Sequence, residues 1–83
     1  MDAEFRALVI STQGTLSDSE CQEIAEFIEA REFKYALETL CGFLVDRNRR
    51  VTPDLYIRIH ALGERLEDFD PYLLESVKAI VID

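Results

Sequence analysis

Twice in the second half of this 83-residue chain a short polar side chain stands directly before a proline, at Thr52-Pro53 and at Asp70-Pro71. Each pair marks a helix start. Proline is tolerated at the first helical position because the N–H it lacks would have no partner there, and a preceding threonine or aspartate can accept from the next orphan N–H groups. A third start is written differently: in "SDSE", Ser17 and Glu20 form a capping box, each side chain satisfying a backbone N–H near the other. Behind these starts the apolar residues recur at helical spacing, and no segment reads convincingly as a strand. The chain is therefore expected to be all-α, a compact bundle of about five short helices in a single domain spanning residues 1–83.

The first helix is expected from roughly Ala3 to Thr12, with Asp2 as its N-cap and a stop before Gly14. The second puts Cys21, Ile24, Ala25 and Ile28 on one face. The third, from about Glu32 to Asp46, carries Phe33, Leu37, Leu40, Cys41 and Leu44 as a buried stripe, which makes it the candidate central helix. The fourth buries Leu55, Ile59, Leu62 and Leu66, and the fifth Leu73, Leu74, Val77, Ile80 and Val81. Tyr35 and Ile57 fall opposite these stripes, so either other helices of the bundle or a protein partner should cover them.

Charge is the next constraint. With 17 acids against 9 bases the chain carries −8, a field that repels phosphate backbones and attracts basic proteins. It is unevenly spread: residues 1–32 hold eight acids and two bases, whereas residues 33–50 hold two acids and four bases. At about 100° per residue, Glu23, Glu26 and Glu29 lie opposite the apolar stripe of the second helix and form an acidic face. No apolar run approaches the ~18 residues of a membrane span, and Met1 is followed by Asp2 and Glu4 rather than by a basic signal start, so the expected location is the cytoplasm. Cys21 and Cys41 form the one possible disulfide pair; both fall on core stripes and read as reduced structural thiols.

Catalytic patterns are poorly supported. His60 is the only histidine and has no serine or cysteine beside it in sequence, and Cys21, Cys41 and His60 fall on three different helices, against a zinc site. "DRNRRVTPD" lacks the glycine and terminal glutamate of a calcium loop, there is no glycine-rich phosphate loop, and the acids of "EDFD" suit capping. No catalytic residue, metal ligand or cofactor site is expected. Arg47, Arg49 and Arg50 stand at the end of the third helix, where the dipole favours cations, and acidic helices flank them, so direct nucleic-acid binding is not expected.

Three pieces in order carry a resemblance: Leu16-Ser17 with Glu20, Ala36-Leu37-Glu38-Thr39-Leu40-Cys41 with Leu44, and Leu62-Gly63 with Leu66. Over roughly residues 16–69 the chain resembles the MafI-type immunity proteins of bacterial polymorphic toxin and contact-dependent growth inhibition systems. The resemblance implies a non-enzymatic protein that binds and neutralises a cognate toxin C-terminal domain; in this family the toxins are often RNases, including EndoU-type ones. An acidic helical protein suits the basic cleft such a nuclease must present. Glu23, Glu26 and Glu29, with Glu32, Tyr35 and Glu64, are the expected contact face by charge geometry. Two features depart from the family: its turn after the third helix is usually acidic, whereas Arg47, Arg49 and Arg50 occupy it here, and the fifth helix runs past the usual end. The three arginines are thus candidate specificity residues. The rival reading is a helical adaptor or regulatory module, docked on a cellular protein or homodimeric through the fifth helix.

Overall fold

The computed structural model describes residues 1–82 and contains five helices: α1 (Asp2–Ser11), α2 (Asp18–Glu29), α3 (Phe33–Asp46), α4 (Pro53–Arg65) and α5 (Pro71–Ala79). Their starts follow the polar residues that precede them. Thr52 Oγ1 accepts from Leu55 N–H at 3.1 Å, Asp70 Oδ1 accepts from Tyr72 N–H at 2.9 Å, and both halves of the Ser17/Glu20 capping box are formed. Leu16, just ahead of the box, is buried in the core, and Cys21, four residues past Ser17, packs half-buried against it, at the two positions a hydrophobic staple uses. No strand forms among the described residues; the parallel bridge of Val51 to Val81 is an isolated one.

Two of the helix ends turn on residues in the left-handed region. After α2, Arg31 has φ 59° while Arg31 N–H and Glu32 N–H donate to the carbonyls of Ile28 and Phe27; after α3, Asn48 has φ 47° while Asn48 and Arg49 N–H donate to Val45 and Leu44. Both are Schellman turns, which satisfy the last orphan carbonyls and reverse the chain within a few residues. Tight reversal at both ends lays α3 between its neighbours.

α3 contributes the largest group of buried side chains, Ala36, Leu37, Leu40, Cys41 and Leu44, and packs against α2, α4 and α5. It shares that three-sided position with α4, which packs on α1, α3 and α5. α1 closes the ring by lying against α2 and α4, and Phe5 stacks on Phe33 with ring centroids 5.3 Å apart. Residues in the connections complete the core: Leu16, Val51 and Phe69 are all buried.

Several expectations need correction. Asp2 is the first residue of α1 and not its cap; its carboxylate pairs with Arg6 one turn on, at 3.2 Å. Phe33, Cys21 and Ala25 are only half-buried, because they sit at the margins of their stripes. Leu66 has left the helix for an extended conformation and is half-buried. The fifth helix stops at Ala79, so Ile80 and Val81 leave the helical stripe, and of the residues assigned to it only Val77 is fully buried. Val81 instead bridges to Val51, with Ile82 N–H donating to Val51 O at 2.8 Å. The bundle leaves Tyr35 and Ile57 uncovered, at 56% and 62% exposure.

Candidate protein-binding face

The face nominated by charge lies on α2 and the start of α3. Ile24 and Ile28 turn inward and are buried, which rotates Glu23, Glu26 and Glu29 to the outside. The Arg31 turn then brings the start of α3 alongside the end of α2, setting the ring of Tyr35 6.2 Å from that of Phe27, centroid to centroid. Beside this pair is a shallow depression of ≈ 370 Å3, lined by Glu23, Glu26, Phe27, Ala30 and Glu32. Its lining is chiefly apolar, with three carboxylates around it. Such a surface can take an apolar stem that ends in a positive charge.

Of the six residues nominated, three thus meet around one depression and Tyr35 flanks it through Phe27. Glu29 is exposed on the same helix but is not part of the lining. Glu64 is elsewhere: it sits on α4, where its Oε1 lies 3.0 Å from Nδ1 of His60. Phe27 and Ala30 escaped the sequence reading; Phe27 lies off the Cys21/Ile24/Ile28 stripe, and that apolar surplus was the available signal.

The three arginines separate into two kinds. Arg49 is turned back toward the start of α2, where it grips Glu20 through both carboxylate oxygens, Nη2 to Oε2 at 3.0 Å, and donates to the Thr15 carbonyl at 3.2 Å. Its side chain is only 16% exposed, so this arginine is not offered to a partner. Arg47 and Arg50 are exposed, with no side-chain hydrogen bond or ion pair among the described residues. The arginine side chains make no bond to the last carbonyls of α3; the backbone N–H groups of Asn48 and Arg49 satisfy those carbonyls in the Schellman turn. Arg49 is paired with Glu20, and the turn's two exposed arginines are flanked in sequence by the exposed Asp46 and Asp54.

The Arg49 guanidinium, helped by the Ser17 N–H, holds the Glu20 carboxyl far below its usual range, at about 2. Arg65 does the same for Glu4 across the α1–α4 seam, also to about 2. Burial, with the charge of Glu38, pushes the Cys41 thiol up to about 12, so it is a poor nucleophile. Cys21 and Cys41 are both free. His60 is partly exposed, facing Glu64 and, at 5.7 Å between centroids, the ring of Tyr56. Among the described residues no group of three His, Cys, Asp or Glu converges to hold a metal, and no helix is long and apolar enough to cross a membrane.

No family model, no curated protein and no solved structure matches the chain.

Proposed function

We propose that the protein is a non-enzymatic immunity protein that binds a cognate toxin domain, a basic nuclease of the RNase type, and blocks its substrate cleft. One observation carries this reading: Glu23, Glu26 and Glu32 surround a single apolar-lined depression beside the exposed Tyr35. Carboxylates around an apolar centre, with an aromatic at the edge, make up the pattern of a protein interface whose partner is positive. The net charge of −8 adds long-range steering toward a phosphate-binding cleft, and the ordered motifs from Leu16 to Leu66 supply the resemblance. The cytoplasm of the producing cell is where such a protein would act.

The test is direct. The product of a toxin-like open reading frame immediately upstream should bind the wild-type chain, and Glu23→Lys/Glu26→Lys/Glu32→Lys should weaken binding chiefly through slower association while the helical circular dichroism is kept. Unchanged affinity in that folded triple variant sinks the proposal for this face. The adaptor reading, homodimeric through α5, is favoured by Tyr72, which stands 80% exposed on that helix. Sedimentation separates the two: a dimer dissociated by Tyr72→Ser supports the adaptor, and a monomer that pairs with the toxin domain supports immunity.

A further inference from the structure

Two stretches of chain remote in sequence meet at one carboxylate. Glu20, in the first turn of α2, accepts from Ser17 N–H at 2.9 Å, and both its oxygens receive Arg49 from the turn after α3, which also reaches the Thr15 carbonyl ahead of α2. The two side chains are largely withdrawn from water, at 13% and 16% exposure. Charge-assisted bonds made in parallel by a guanidinium fork are among the stronger polar contacts, and limited exposure reduces their screening by salt. The turn bearing Arg49 is also held on both sides, by the Schellman bonds to Leu44 and Val45 and by the Ile82 bond to the buried Val51. The start of α2 is therefore held by a distant arginine in addition to its own capping box.

The geometry points to Arg49 as a positioning residue: the turn after α3 and the first turn of α2 open and close as one unit, hinged on Glu20, and that unit holds the Glu23/Glu26 row in place. The consequence for binding rests on the reading of that row as an interface, whereas the unit is defined without any partner. Coupling of this kind is reciprocal, so disturbing either turn loosens the other.

Amide hydrogen exchange measured residue by residue on the whole chain tests it. Glu20→Gln keeps an acceptor for Ser17 N–H, because glutamine also serves in a capping box, and removes only the charge that Arg49 reads. Arg49→Met keeps the stem without the fork, and Arg49→Lys keeps the charge without the fork. Arg49→Met is expected to speed exchange several-fold at Ser17, Glu20 and Cys21 as well as at Asn48 and Arg49. Glu20→Gln should reproduce the same set, the double variant should add nothing further, and Arg49→Lys should fall between. In Arg49→Met the carboxyl of Glu20, followed by carbon-13 NMR, should titrate at higher pH than in the wild type. Tyr72 N–H, bonded to Asp70 at the start of α5, is the internal control and should not change. Acceleration confined to Asn48 and Arg49, acceleration that includes Tyr72 equally, or additive effects in the double variant would overturn the inference. Coupled exchange with no toxin binding would sink the proposed function and leave this unit standing; toxin binding with uncoupled exchange would do the reverse.

Discussion

Glu20 and Glu4 are the carboxylates whose surroundings most favour their charged form. Arg49 and Arg65 hold them at about 2, against an ordinary value of 4.5. Because the folded values lie below the unfolded ones, the stability these groups lend is fully present above about pH 4.5 and is lost as the pH falls from there through about 2. Urea unfolding followed from neutral pH down through that window should show the gap between wild type and Arg49→Met closing. A constant gap would mean that Arg49 acts through packing alone. Leu40 illustrates the other kind of residue effect: it is 1% exposed at the middle of α3, and Leu40→Ala should lower the unfolding free energy by ~2–5 kcal/mol in denaturant titration. A near-zero change would mean that α3 is not part of a tightly packed core.

At the scale of the helix, ends and close approaches matter most. Arg31 occupies a left-handed position, φ 59°, that costs a side-chain-bearing residue roughly 1–2 kcal/mol, and its compensation is a guanidinium 6.0 Å from the Phe33 ring centroid. Arg31→Gly should therefore stabilise the protein by about 0.5–1 kcal/mol, read as a higher melting temperature, since glycine is the preferred residue where a Schellman turn goes left-handed. A lower melting temperature would show that the cation–π contact outweighs the backbone term. Gly63 has a different role. A Cβ placed there would lie 3.3 Å from Leu74 Cδ1 and 3.4 Å from Phe69 Cδ2, so the missing side chain is what lets the α5 segment settle on α4. Gly63→Val should cost ~1–3 kcal/mol by overpacking that seam, measured as a shift in the denaturation midpoint. This gives a packing reason for the Leu62-Gly63 pair that the motif reading could only place in order.

The whole molecule measures 33 × 28 × 19 Å, and its thinnest dimension is about two helix diameters. Each helix can bury one side and must show another. For α2 the outer side is the acidic one, so the field of a −8 chain is expressed through a definite surface. Association with a basic partner is accordingly expected to slow steeply as salt is raised, with dissociation changing much less; stopped-flow mixing across a salt series measures this. An association rate indifferent to salt would remove steering from the account.

The all-α class, the number of helices and most of their limits were legible because they depend on near neighbours in sequence: the capping box, the two proline starts, and apolar spacing along α2, α3 and α4. α1 and α5 were less legible at their ends. Asp2 had the chemistry of a cap but fell inside the helix, and Val81 continued an apolar pattern that the bridge to Val51 interrupts. The acidic outer face of α2 followed from periodicity alone. What only the tertiary structure decided was which charges meet. Glu20 and Arg49 lie 29 residues apart, and nothing local distinguishes Arg49 from Arg47 or Arg50. The Schellman turn at Asn48 aims one arginine at α2 and leaves two in water. Likewise, Glu64 shares the acidity of Glu23 and Glu26 but stands on another helix, whereas Phe27 and Ala30 acquire a place in the face through the reversal at Arg31. Periodicity determines which side of a helix is wet, while chain reversals determine which wet sides lie together.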